Sequence, residues 1–370
     1  MRRLLAIAAL ALGAGGLLPA SAVAGAATDL LPDIPGTWAV EARWGNLGKG
    51  LGEFGSGVLG DGAMRQYDDP AGVAVAPDGT LVVVDPSNNR FQRFSRDGQF
   101  LGTYGSRRQD KGFRAIRLTR FFFQPEGVDV DSAGNVYVVD SGNDRVMKHR
   151  PRGGFRARLG YHGSYPGQLV QPWDIAVGRS EAYVIDQGNY EIDRFSKTGR
   201  FLGSFGRFGR GRGEFVTPYG IEVDAAGERV YVSDHIKHEI MVFSPRGTLL
   251  STFGGPGIGP GQFLKPAGVA IGPDGTVFVA DRCNRRIQRF TPEGRHLESF
   301  GTLALETPTF LDVDDSGDVF VADHHRMLRF GKGRPLAAAA RKATHDGVDI
   351  QCRRVVEMVL GGELPPRRSD

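Results

Sequence analysis

Cysteine is almost missing from the 370 residues: Cys283 and Cys352 are the whole supply. Two thiols cannot make a structural zinc site by themselves. Past the N-terminal segment, no stretch is long and apolar enough to span a bilayer. Neither sign of charge dominates, with 46 Lys and Arg against 42 Asp and Glu. Several enzyme signatures are also lacking. There is no Gly-x-Ser-x-Gly elbow and no His-Glu-x-x-His. The glycine-rich Gly255–Gly261 stretch lacks the Lys-Ser/Thr of a phosphate loop. Gly-X-Y periodicity is absent, which excludes collagen. A composition 40% hydrophobic and 24% charged excludes a mainly disordered chain.

What is abundant is glycine, 54 residues, with 21 prolines. Many short strands joined by tight turns use glycine at that level. The chain starts with a basic n-region, an apolar run from Leu4 to Leu18 and Ala-x-Ala sites. That pattern predicts a secretory signal peptide over 1–27, cleaved after Ala22, Ala24 or Ala26, and a short linker over 28–37. The expected product is secreted, extracytoplasmic, monomeric and without a transmembrane segment. Cleavage removes Arg2 and Arg3, and the tail 332–370 carries eight basic and five acidic residues. The body between is near neutral, which argues against nucleic acid as a partner. In an oxidising compartment Cys283 and Cys352 are expected to form a disulfide tying the tail, helical in part, to the body.

The body repeats. Short strands end in aspartate at Asp85, Asp140, Asp186, Asp234, Asp281 and Asp323. A second strand precedes each across a tight turn, as in GVAVAPDG and GVDVDSAG. A third follows, as in RFQRF and RIQRF, and a fourth ends in an aromatic or leucine and a glycine, as in FLGTYG and FLGSFG. Six such four-stranded units bury their faces only by stacking radially, and a closed ring leaves no exposed end. The sixth unit has only three strands. The missing one is at the N-terminus, TWAVEARWG, because Trp44–Phe54 aligns with Phe205–Phe215 and Phe253–Phe263. The expected fold is all-β: a six-bladed β-propeller over 38–331 whose last blade is closed by the N-terminal strand. The aspartates that end the second strands are expected to be structural caps of turn amides.

The pattern P-x-G-V-A-V, V-x-V-x-D, N-x-R-I-x-x-F and F-G-x-x-G-x-G-x-G-x-F resembles the NHL repeat. Matching positions include Asn88 and Arg90, Asn143 and Arg145, and Asn284 and Arg286. The resemblance implies a propeller of NHL-type blades. It leaves function open, because such propellers serve as protein-binding sensors, RNA platforms and, in the peptidylglycine amidating lyases, zinc enzymes.

Loops on a rigid scaffold commonly carry function. Two links flanking blade 1 are enlarged, and the second holds Arg107, Arg108, Lys111, Arg114, Arg117 and Arg120 against one acid, Asp110. Arginine forks suit carboxylate and phosphate groups. The residues after the entry prolines should ring the channel mouth and include Glu126, Trp173 and Tyr219, with Asp174 in place of a glycine. A second basic run, Arg145–Arg158, is expected on the solvated outer strands of blade 2. Deeper in the channel the first strands place Asp129, Glu222 and Asp312 in even blades and alanine in odd ones. These carboxylates either bond neighbouring backbone or hold a hard cation such as calcium. His235, His238, His324 and His325 are the candidates for zinc. The reading favoured is a non-catalytic recognition or scaffold module without cofactor, binding a protein or an anionic cell-envelope polymer. The runner-up is a metal-dependent lyase or hydrolase in the channel, using zinc or calcium.

Overall fold

A computed structural model describes residues 38–46, 48, 50–54, 70–105, 121–332 and 352. The signal segment, the linker, both enlarged links with Arg107–Arg120, and the tail except Cys352 lie outside the described residues.

The described chain is a six-bladed β-propeller. Blade 1 comprises β2 (Val73–Val75), β3 (Leu81–Asp85), β4 (Arg90–Phe94) and β5 (Phe100–Gly105). Blade 2 holds β6 (Pro125–Val130) to β9 (Phe155–Leu159) and blade 3 holds β10 (Pro172–Val177) to β13 (Phe201–Phe205). Blades 4 and 5 run from β14 (Pro218–Val223) to β17 (Leu249–Gly254) and from β18 (Pro266–Ile271) to β21 (His296–Phe300). Blade 6 takes β22 (Pro308–Val313), β23 (Val319–Asp323) and β24 (Arg326–Lys332), and β1 (Trp38–Trp44) pairs antiparallel with β24 as its outer strand.

Each local feature has a cause in the sequence. The turn from first to second strand needs a left-handed residue, which glycine supplies at Gly79, Gly134, Gly227, Gly275 and Gly317. Second strands such as LVVVD are buried on both faces between neighbouring blades, so they are apolar throughout. Outer strands such as β5 alternate, packing one face and wetting the other.

The N-terminal segment joins the ring as an ordinary repeat. Phe54 packs on Phe94 with ring centroids 5.6 Å apart, the spacing of Phe215 on Phe243 (5.7 Å) and Phe263 on Phe290 (5.5 Å). Trp38 stacks on Phe300 at 4.4 Å, so blade 6 is also sealed against blade 5.

Beneath the links lies a buried polar layer. Asp85, Asp140, Asp186, Asp234, Asp281 and Asp323 are wholly buried. They accept hydrogen bonds from amides of the entering links: Phe123, Val170, Val216, Leu264 and Glu306 donate to the last five in turn. Four of them pair with a third-strand arginine: Asp85–Arg90 and Asp140–Arg145 at 2.7 Å, Asp281–Arg286 and Asp323–Arg326 at 2.8 Å. The expectation of a solvated basic run in blade 2 therefore fails at Arg145. It fails again at Lys148, which is buried against Asp131 (3.2 Å) and Tyr137. Both side chains lie on strand faces covered by neighbours, so their charges are matched internally.

Cys283 and Cys352 form a disulfide with Cα atoms 4.9 Å apart, packed on Leu264. No helix among the described residues is long and apolar enough to cross a membrane.

Phe54 has no exposed surface. Phe54→Ala should lower unfolding free energy by about 3–5 kcal/mol, read from urea denaturation. A loss under about 1 kcal/mol would mean that the N-terminal segment is not part of the closed ring.

Candidate functional site

Six first strands line the central channel, each entering at one face through its proline. The residues after those prolines form the uppermost layer, and two of the expected ones, Trp173 and Tyr219, come together in it. Trp173 and Tyr219 have ring centroids 5.2 Å apart. Tyr219 also packs on Phe310 from blade 6 at 5.7 Å and stacks on His235 at 4.7 Å. Rings from blades 3, 4 and 6 thus meet across the mouth. The rings form a packed lid in which Tyr219 is buried and Trp173 half-buried, and Glu126 and Thr309, at the corresponding positions of blades 2 and 6, are buried too.

The polar groups of this layer are held by backbone. Asp174 Oδ2 accepts from the Ile221 amide of blade 4 at 3.0 Å, and burial pushes its carboxyl up to about 7. His235 Nδ1 is 3.1 Å from the Pro266 carbonyl. A carbonyl only accepts, so Nδ1 carries the hydrogen. Burial, with Arg282 and Lys265 nearby, holds His235 well below its ordinary pKa, so the ring is neutral. Arg282 Nη1 lies 3.4 Å from the Tyr219 hydroxyl.

One layer deeper, Asp129, Glu222 and Asp312 face one another from alternate blades. Asp129 Oδ2 accepts from the Val177 amide of blade 3 at 2.6 Å, and Asp312 Oδ2 from the Val75 amide of blade 1 at 2.7 Å. Each acid reaches a first strand that carries alanine at its own position (Ala176, Ala74), so the small residue makes room for the neighbour's carboxylate. Glu222 Oε1 accepts from the Val223 amide at 2.7 Å. Burial first, then mutual repulsion, raises these carboxyls: Asp129 to about 8 and Glu222 in the same direction. Burial also raises Asp312, to about 6. The layer is a set of interacting acids.

Convergence on one ion is a separate question. Among the described residues, the metal-ligating side chains whose donor atoms come within 4.8 Å of one another are Asp186, Glu191 and Asp193, on the second and third strands of blade 3. Neither the channel acids nor the four histidines form such a set. His238 Nδ1 accepts from the Lys265 amide at 2.9 Å, and His324 and His325 contact each other at 3.7 Å. In the sequence Asp186 reads as a structural cap, and Glu191 and Asp193 are not singled out. The signal was present, because Glu191 and Asp193 stand where blade 5 has Arg286 and Gln288.

The face bearing the lid has one further property. Its inter-blade links expose large apolar side chains: Leu51, Tyr161, Tyr165, Phe208, Ile258 and Leu303, joined by Ile236 from a second-to-third-strand loop. Tyr165 is 77% exposed. Arg207, Arg210 and Arg212 stand exposed among them. The candidate ligand residues Arg107, Arg108, Lys111, Arg114, Arg117 and Arg120 belong to a link of the same series, outside the described residues.

The chain carries NHL repeats: that family matches residues 67–94, 122–148 and 263–290, and a family described as a 6-bladed beta-propeller matches 169–244. No curated protein sequence matches the chain. Among solved structures, a gluconolactonase from Xanthomonas campestris is similar at 15% identity and TM-score 0.55, over 82% of this chain and 99% of that one. Virginiamycin B lyase from Staphylococcus aureus is similar at 14% identity and TM-score 0.51, over 72% and 81%. At such identities the likeness is one of fold.

A carboxyl raised in the folded chain binds more protons there than in the unfolded chain, between the ordinary 3.8 and about 8 for Asp129. The stability it gives is therefore full at low pH and lost as pH rises through that window. Asp129→Asn removes one member of the set. Its urea midpoint relative to the unaltered protein should improve steadily from about pH 5 to about pH 8.5. A difference that does not change with pH would contradict the raised values.

Proposed function

We propose that this NHL-repeat propeller is a non-catalytic recognition module exported from the cytoplasm, which binds a protein partner on the face formed by its inter-blade links. The observation that carries the reading is the exposed apolar series on that face. Apolar side chains scattered singly need no explanation, but a series on successive links of one face marks an interaction surface. Aromatic and arginine side chains are the residue types that anchor interfaces, and Tyr165, Phe208, Arg207 and Arg212 supply both. The basic link Arg107–Arg120 extends the preference toward acidic partners, through charge-assisted bonds. The packed lid supports the same view, since Glu126, Trp173 and Tyr219 then act as the rigid floor of a binding face. An anionic envelope polymer is the competing occupant.

A second reading, a metal-dependent lyase or hydrolase, draws on the raised carboxyls of Asp129, Glu222 and Asp312 in the channel. Raised acids in a cleft are candidates for proton transfer. It requires a metal whose loss follows substitution of these acids, or of His235, His238, His324 or His325.

The test is comparative capture from envelope extracts. A Tyr165→Ser/Phe208→Ser variant should lose a partner retained by the unaltered protein and by a control with outer-strand Leu101→Ser/Leu250→Ser. The affinity for that partner should fall at least about tenfold. Equal retention by both variants would overturn the assignment to this face. Retention that falls with salt and with Arg107→Ala/Arg108→Ala alone would favour the anionic polymer.

A further inference from the structure

Blade 3 departs from its neighbours at one place. In blades 1, 2, 5 and 6 the aspartate ending the second strand faces an arginine. In blade 4 that arginine is replaced by Glu239, and Lys237 supplies the cation: its Nζ is 2.7 Å from Glu239 and donates to the carbonyls of Gly211 and Glu214. Blade 3 has Glu191 in the arginine's place and Asn189 in that of Lys237. It also has Asp193 where blades 1 and 5 carry Gln92 and Gln288.

Strand pairing sets Asp186 opposite Glu191 and Val184 opposite Asp193, so the three carboxylates share one face of the sheet. Their donor atoms lie within 4.8 Å of one another. Asp186 accepts from the Val170 amide at 2.9 Å and Asn189 Nδ2 at 2.7 Å, and Glu191 accepts from Ser204 Oγ at 2.8 Å. Asp193 has no exposed surface, and neither of its oxygens accepts a hydrogen bond. Among the described residues, no lysine, arginine or histidine forms an ion pair with any of the three. A buried carboxylate left without a donor is costly.

We propose that blade 3 holds a calcium ion, bound by Asp186, Glu191 and Asp193, in the place where the other blades hold a guanidinium or ammonium group. The ligand set is all oxygen, which suits calcium and not zinc. Calcium takes six to eight oxygens in flexible geometry, whereas magnesium demands a near-ideal octahedron. Further oxygens come from the link. In blade 5 Arg286 donates to the carbonyls of Gly259 and Gln262, and in blade 4 Lys237 to those of Gly211 and Glu214. The repeat places the carbonyls of Tyr165 and Gln168 in the corresponding positions of blade 3. The ion thus clamps the link entering blade 3, as the buried cations clamp the others. It lies off the channel and has no part in either functional reading.

The experiment is calorimetric titration of calcium into the chelator-treated full chain, with melting followed in parallel. One equivalent should bind, and Tm should rise by roughly 5–10 °C at a hundredfold excess over Kd, with a smaller rise in magnesium. Glu191→Arg/Asp193→Gln rebuilds the chemistry of blade 5. It should abolish the calcium heat while melting at or above the temperature of the calcium-free protein. Asp193→Asn should weaken calcium at least tenfold, and it decides the matter if the double variant does not fold. Two outcomes would overturn the proposal: no calcium bound up to millimolar concentration, or one calcium bound with unchanged affinity in these variants.

Discussion

Each blade buries a carboxylate where its second strand ends, and the ring depends on how that charge is answered. An isolated buried carboxylate is prohibitively costly, so it must collect hydrogen bonds and a counter-charge. Here both come from the same region of chain. The aspartate takes amides of the entering link, and the paired cation takes carbonyls of that link, as Arg90 does with Gly50 and Glu53. The link is thereby clasped at both ends of its polarity. Blade spacing becomes a property of a polar clasp beneath the surface, and the residues above the clasp vary without disturbing the ring. The exposed apolar and basic side chains occupy that freed layer.

The channel follows a different rule. Six acids at one level would repel one another without relief. Three acids alternating with three alanines allow Asp129 and Asp312 each to lean on a neighbouring strand and take its amide, while Glu222 takes that of Val223 on its own strand. Blades are thus stitched pairwise at the axis and by the clasps farther out. The rings of Trp173, Tyr219 and Phe310 pack over the axis on one face, and desolvation raises the carboxyls one layer below.

The fold was legible because a propeller repeats its instructions. V-x-V-x-D marks the second strand of each blade, and the spacing from Trp44 to Phe54 marks the closing strand. The site was less legible. A run such as Arg145 to Arg158 has the same composition whether its members face solvent or buried acids. Only strand register shows that Arg145 opposes Asp140 and that Lys148 reaches Asp131. The mouth residues were identified by position, but position did not reveal that Tyr219 reaches across to Phe310. The acids of blade 3 were visible as departures from the repeat. Their meaning needed the finding that the arginine they displace is an internal counter-ion.

The seam between β1 and β24 also orders events in time. Synthesis delivers residues in sequence, so the strand that completes the sixth blade emerges first and must wait for its partner until nearly the whole ring has been made. Until then the half-built arc presents two unstacked sheet faces and an unpaired β1, the condition under which chains join the wrong neighbour. The ladder from Trp38–Lys332 to Trp44–Met327 is the same whether β1 comes from its own chain or from another, so the seam is the place in this ring where strand exchange costs no native pairing.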